Sequence, residues 1–228
     1  MSQSRIYAPL RKRMLMVFDV ETTGLLPKQP KNGQNLGLVS PIESYPYIIQ
    51  LSFVLYDLFE QRIVKSYDSY VNIPEFVEIP TVVSQLTGIT KEICSEKGKN
   101  IVTVIDEFYD AYMYAETIIA HNMEFDEKMI QIELQRNRTV FLEKAPYCFT
   151  IFSKIYEKLK GVDRYCTMKQ GTEVCAIVVG DRVSKKWPKL SELHKKLFDE
   201  VPDGLHNSMV DVSACLRCYL KMRHNIDR

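Results

Sequence analysis

Apolar and polar positions divide the chain into strands and helices. Residues 14–21 read MLMVFDVE: Leu15, Val17, Asp19 and Glu21 share one face of a strand, and Met14, Met16, Phe18 and Val20 share the other. Both faces stay apolar until Asp19, the pattern of a central strand covered on both sides. Residues 47–57 and 61–71 are two β-rich runs with a short connection, which predicts a hairpin. Residues 81–86 predict a short helix closed by Gly88, and Ile101, Val104, Ile105 and Phe108 recur at helical spacing. Residues 117–120 form a short apolar strand; Asn122 is placed to cap a helix running from 123 to about 135. A further short strand is expected at 147–149, before a helix carrying Phe152, Ile155, Tyr156 and Leu159. Residues 174–179 are β-rich and read as a small hairpin or an irregular lid. Residues 190–198 have helical spacing, Pro202-Asp203-Gly204 is a turn signal, and a last helix from near Ser208 carries Val212, Leu216, Tyr219 and Leu220. The expected order is β, ββ, α, β, α, β, α, α: an α/β fold with one mixed central sheet flanked by helices.

Twenty residues, 27–46, hold four prolines and two glycines and read as a long loop inserted into this domain, because the periodic segments on both sides belong together. The expected organisation is an N-terminal extension at 1–13, a single domain at 14–222 and a tail at 223–228. The whole chain has 228 residues, and its 30 Lys+Arg and 29 Asp+Glu nearly cancel, so a basic nucleic-acid coat protein and an acidic tail are both excluded. The balance hides an asymmetry. Residues 1–127 carry 11 Lys+Arg against 17 Asp+Glu, and residues 128–228 carry 19 against 12. Such a split suits a cation site beside an anionic substrate, and it equally suits ordinary surface variation. No apolar run reaches membrane-span length; the nearest, 48–59, is interrupted by Gln50, Ser52 and Asp57. The N-terminus lacks the apolar stretch of a secretory signal, so an intracellular location with six reduced cysteines is expected. Cys215 and Cys218 lack a second pair or matching histidines for zinc, and are expected to fill a packed helix face.

Three clusters carry chemistry. Asp19 and Glu21, two apart on a strand, point their carboxylates to one side, where they repel each other and lose hydration when covered. A hard divalent cation relieves both costs; a strand end that turns polar at the surface explains the pair as well. In ETIIAHNMEFDEKM, Asp126 lies in the first turns of a helix, where acidic residues also favour the positive end of the helix dipole, and His121 reads as a strand-end hydrogen-bonding residue. In GLHNSMVDVSACL, His206 follows a turn and Asp211 lies five residues on; alone, they read as a loop histidine and a capping partner of Ser208.

Together, FDVETTGL, HNMEFD and HNSMVD resemble, in order and context, the three motifs of the DEDDh 3′→5′ exonucleases, a DnaQ-like group that includes proofreading subunits of bacterial replicative polymerases. The resemblance runs from about Met14 to Met222, with lesser matches at IIQLSFVLYD, LTGIT and Pro188-Lys189-Leu190. It implies an RNase H-like fold. It implies that Asp19, Glu21, Asp126 and Asp211 are metal ligands for two divalent ions, Mg²⁺ or Mn²⁺. Asp19 would bridge both ions, Glu21 and Asp211 would complete one site, and Asp126 would hold the other through water. His206, five residues before Asp211, is then the general base; the sister group has a tyrosine four before the aspartate, where this chain has Asn207.

By the same resemblance Thr22, Thr23 and Leu25 receive the 3′-terminal nucleotide, with backbone amides on the 3′ hydroxyl and Leu25 wedged beside the base. Phe125 supports that pocket or belongs to the core. Arg11-Lys12-Arg13 and Lys185-Lys186 are candidates for upstream phosphates or a solvated face, and Trp187 stacks a base or packs. The expected activity is hydrolysis of single-stranded or frayed 3′ ends, DNA ahead of RNA, releasing nucleoside 5′-monophosphates. A proofreading role would require a DNA polymerase in trans. The alternatives are a non-catalytic nucleic-acid-binding or polymerase-docking module on the same fold, and an RNase H-like endonuclease.

Overall fold

A computed structural model describes residues 12–27, 41–180 and 184–227. Most of the proline-rich loop, residues 28–40, lies outside the described residues, as do residues 1–11 of the N-terminal extension, residues 181–183 and Arg228.

Among the described residues, five strands form one mixed sheet: β1 (Met14–Thr22), β2 (Ile48–Asp57), β3 (Arg62–Tyr70), β4 (Thr117–Ala120) and β5 (Asp163–Cys166), in the order β3-β2-β1-β4-β5. β1 is central. It runs antiparallel to β2, with Asp19 opposite Ser52 and Glu21 opposite Gln50, and parallel to β4, which continues parallel to β5. The expected hairpin of β2 and β3 is present.

Alternation in β1 feeds two cores. Met16, Phe18 and Val20 pack with α3 (Ile101–Tyr114) and α4 (Met123–Arg136). There Phe18 meets Phe108 edge-on at 5.2 Å between ring centroids, and Phe152 at 5.6 Å. Leu15 and Val17 pack with α8 (Leu190–Phe198) and α9 (Ser208–His224). Cys215 and Cys218 are free and buried on α9, filling this second core as expected. A sheet covered on both faces leaves its strand ends as the place for polar chemistry.

Shorter helices complete the fold: α1 (Thr81–Thr87), α2 (Lys91–Lys97), α5 (Arg138–Lys144), α6 (Lys154–Lys160) and α7 (Thr167–Cys175). Four expectations need correction. Residues 147–149 belong to a 3-10 helix, Pro146–Thr150, because Pro146 presets a helical φ and its missing N–H costs nothing at the first turn. The strand following α4 is instead β5, an edge strand of Asp163, Arg164, Tyr165 and Cys166 with no apolar alternation to announce it. Phe152 precedes α6, buried in a left-handed conformation (φ 57°), while Ile155 and Leu159 lie exposed on that helix. The β-rich reading of 174–179 fails at its start, where α7 continues to Cys175; 176–179 are irregular, the second of the two alternatives, with Val178 and Val179 exposed. Among the described residues, no helix is long and apolar enough to cross a membrane.

Candidate active site

Acids from three elements meet where β1 runs out. Asp19 and Glu21 lie on the β1 face that α9 covers. Past Val17, β1 has no further partner on β4, and the Val20 N–H is taken at 3.4 Å by Oδ1 of Asp126, reaching from the first turn of α4. Asn122 stands at the N-cap of α4 as expected. Its backbone is left-handed (φ 68°), however, and its side chain makes no capping bond. α9 supplies the third group. His206 has a left-handed backbone (φ 73°), and its N–H donates to Oδ2 of Asp211 at 3.1 Å. The ligand-capable atoms of Glu21, His206 and Asp211 all lie within 4.8 Å of one another.

The cap of α9 is Asn207, not a Ser208–Asp211 pair: its side-chain oxygen accepts from the amides of Met209 and Val210. Ser208 instead donates its hydroxyl to the main-chain oxygen of Asp19 at 2.8 Å. This ties the helix start to β1 and sets Asp211 against the β1 acids.

The electrostatics follow from four acids sharing a covered site. Burial pushes the Asp19 carboxyl up to about 8, with Asp211 adding to it. Burial, then Asp19 and Asp211, push Glu21 up to about 9. Burial and Asp19 hold Asp126 well above the carboxylate range, and burial raises Asp211 to about 6. Oδ2 of Asp19 is buried without a hydrogen-bond partner. A buried carboxylate oxygen without a donor, among three more acids, is a donor set for a hard divalent cation, so the residues present fit the expected ions.

The other candidate residues divide. Thr22 and Thr23 are buried at the strand end and brace the turn: the Thr22 hydroxyl donates to Gly24 O, and Thr23 exchanges hydrogen bonds with Tyr47. The Thr23 amide donates to Tyr47 O at 2.9 Å, so it is committed to the fold and not turned toward a 3′ hydroxyl. Leu25 is 87% exposed beside a cavity of about 350 Å³ that Thr23, Tyr45, Tyr47 and Phe76 also line. Phe76 is itself 78% exposed and has no sequence motif around it; only its place with Leu25 at the same cavity marks it. Phe125 is half-buried against the core.

Each described candidate for the upstream phosphates is engaged within the protein. Arg13 pairs with Asp57 and Glu60, Lys12 with the carbonyl of Gly161, Lys185 with Glu173 and Lys186 with Glu192. Arg11 lies outside the described residues. Trp187 is exposed, not packed. His121 bridges Thr167 Oγ1 (3.0 Å) and Pro188 O (3.1 Å), and burial pushes it down to about 4, so it is a neutral structural imidazole. A larger cavity of about 990 Å³ opens at the opposite end of the sheet, between the starts of β4 and β5 and the end of α9, away from the acids.

Residues 16–219 match the family model RNase_T, described as an exonuclease. No match is found among curated proteins. Solved structures of E. coli exonuclease I are similar in fold. The complex with a dA16 oligonucleotide is 16% identical, with a TM-score of 0.62 over 94% of this chain and 42% of that one. The complex with dT13 is 16% identical, with a TM-score of 0.63 over the same shares. A structure described as product-bound exonuclease I is 17% identical, with a TM-score of 0.63 over 94% of this chain and 45% of that one. The sheet and its flanking helices thus have the RNase H-like fold of these exonucleases, and this chain spans less than half of their length.

Proposed function

Because the chain belongs to the RNase_T exonuclease family, we propose that it is a divalent-metal-dependent 3′→5′ exonuclease that removes nucleoside 5′-monophosphates from single-stranded 3′ ends, DNA ahead of RNA. The observation that carries this reading is the cluster of Glu21, His206 and Asp211 within 4.8 Å beside Asp19, whose buried Oδ2 has no donor and whose charge raises both Glu21 and Asp126. Those four side chains would hold two Mg²⁺ or Mn²⁺ ions, which supply charge neutralisation at the scissile phosphate and a more acidic water.

The chain's own residues do the rest. His206 is exposed, its main-chain N–H bonded to Asp211 and a ring nitrogen within 4.8 Å of Glu21 and Asp211, which supports a role in which its imidazole would take the proton of the attacking water. Leu25 and Phe76 flank the small cavity that Thr23, two residues past Glu21, also lines, and would bracket the 3′-terminal base, which favours an unpaired end. Solved relatives of the same fold were crystallised with single-stranded dA16 and dT13, which supports a single-stranded substrate here.

Degradation of a 3′-labelled single-stranded oligonucleotide with Mg²⁺ or Mn²⁺ tests the proposal. Wild type should release mononucleotides, Asp19→Ala should be inactive, and His206→Ala should lose about 10²- to 10⁴-fold in kcat. Unchanged digestion by either variant removes the assignment. A wild type that binds oligonucleotide but stays inert with both metals would instead be a non-catalytic binding module.

A further inference from the structure

A polar relay reaches α9 from the far side of β2. Gln50 is fully buried, opposite Glu21 in the sheet. Its Nε2 donates to Oδ1 of Asp68 on β3 at 2.8 Å, and the hydroxyl of buried Ser52 donates to that same oxygen at 2.7 Å. A carboxylate only accepts, so Asp68 fixes which way the Gln50 amide faces. The Gln50 carbonyl must then point the other way, where it accepts the amide of Ser208 at 3.3 Å.

That amide is the one the cap leaves over. At the start of α9, the Asn207 amide bonds Gly204 O, and Met209 and Val210 bond the Asn207 side chain. Ser208 is fully buried, so its N–H has no water to turn to, and Gln50 is its acceptor. The Ser208 hydroxyl then holds the Asp19 carbonyl. The relay Asp68–Gln50–Ser208 therefore joins β3, β2, α9 and β1, and it ends between His206, Asp211 and Asp19.

We infer that Gln50 and Asp68 are positioning residues for the hydrolysis: they seat the first turn of α9 against β1, and so hold His206 and Asp211 at working distance from Asp19 and Glu21. The inference rests on the exonuclease reading for its effect on rate, but not for the tie itself.

Two readouts separate these. The first is amide hydrogen exchange of residues 206–211 in metal-free protein. Asp68 is exposed, so Asp68→Ala leaves the core packing alone. It should raise exchange at Ser208 and lower kcat about tenfold with KM within about twofold; tenfold in rate is about 1.4 kcal/mol. Gln50→Glu sets two carboxylates against each other and should do at least as much. The double variant Gln50→Glu/Asp68→Asn restores a donor facing an acceptor and should recover both the exchange protection and most of kcat, which a merely structural role would not require.

Asp68→Ala with wild-type exchange and wild-type kcat would overturn the inference. So would a double variant no better than Gln50→Glu alone. If wild type hydrolyses no oligonucleotide, the exonuclease reading falls, and the exchange data still decide whether the relay seats the helix.

Discussion

Replacing Glu21 by glutamine should stabilise the metal-free protein at alkaline pH and leave it almost unchanged in acid. Glu21 is ordinarily a carboxyl near 4.5, and burial beside Asp19 and Asp211 moves it up to about 9. The folded protein therefore holds the proton to higher pH than the unfolded chain does. Wild type keeps its full stability below about pH 4.5 and loses it progressively as pH rises through about 9. At pH 8, about 3.5 units above its ordinary value, holding the proton in the folded state costs up to about 5 kcal/mol. Partial solvent access and relaxation of the neighbouring acids reduce the realised part to about 2 kcal/mol. In a chain of this size that is about 4–8 °C in Tm.

The assay is thermal unfolding of wild type and Glu21→Gln in chelator, from pH 5 to pH 9, repeated with millimolar Mn²⁺. The variant should melt higher than wild type at pH 8, with the gap closing toward pH 5. Mn²⁺ should raise wild type more than the variant, because a ligand stabilises only the form that binds it. A gap that is the same at pH 5 and pH 8, or a variant that melts lower throughout, would show that Glu21 is not a strained acid and that the site does not bear the like-charge cost assigned to it.

Further outcomes are expected. Asp126→Asn should lower kcat by about 10³ or more at saturating Mn²⁺; a rate within tenfold of wild type would take Asp126 out of the site. Leu25→Ala and Phe76→Ala should each raise KM about tenfold with kcat nearly intact, since stacking one base is worth about 1–3 kcal/mol; steady-state kinetics on oligo-dT separate this from a loss confined to kcat, which would contradict it. Asp57, held down to about 2 chiefly by its hydrogen bond from Arg13, contributes stability above its ordinary value near 3.8 that is lost as pH falls through about 2. Asp57→Asn should therefore be less stable than wild type in urea at pH 7, with the difference shrinking toward pH 2, and a constant difference would refute the pairing.

What could be read from the chain, and what could not, divides by the range of the determining interaction. β1 was readable because its two faces are apolar up to Asp19, and the hairpin because a turn joins two β-rich runs; both signals are local. The three acidic motifs were readable because each sits at the end of an element whose periodicity is clear. β5 was not: Asp163–Cys166 becomes a strand only because β4 offers it an edge, and nothing in its four residues alternates. α7 was obscured by Gly171 in its middle. A Cβ there would come within 2.9 Å of the Leu193 side chain on α8, which would then have to shift, a contact between elements that no local pattern encodes. The stripe of Phe152, Ile155, Tyr156 and Leu159 misled for the converse reason: its spacing is helical, but two of its members face solvent. Gln50 is the hardest case. It reads as an interruption in an apolar strand, and its partner Ser208 lies 158 residues away.

Two aspartates in paired strands show how one sheet supports opposite demands. Asp57 ends β2 beside the start of β1. There the Arg13 side chain donates to it at 2.8 Å, and the amides of Phe59 and Glu60 donate to its other oxygen. Asp19 lies five residues along β1 from Met14, the residue opposite Asp57, and is opposite Ser52. It has one oxygen with no donor and acids for neighbours, and its carboxyl rises to about 8 where that of Asp57 falls to about 2. Burial is the largest part of the rise at Asp19, with Asp211 adding to it, whereas at Asp57 the Arg13 hydrogen bond outweighs what burial costs. A sheet selected for stability alone would supply Asp19 with a cation from the chain, as it supplies Asp57 with Arg13. Instead the group beside Asp19 is a neutral one: the Ser208 hydroxyl holds its carbonyl and offsets only part of the rise of its carboxyl. Fixing the main chain while leaving the carboxylates unneutralised is a local conflict with stability. It is sustained by the well-packed remainder of the sheet, and it is where a sequence that otherwise agrees with its fold is expected to carry function.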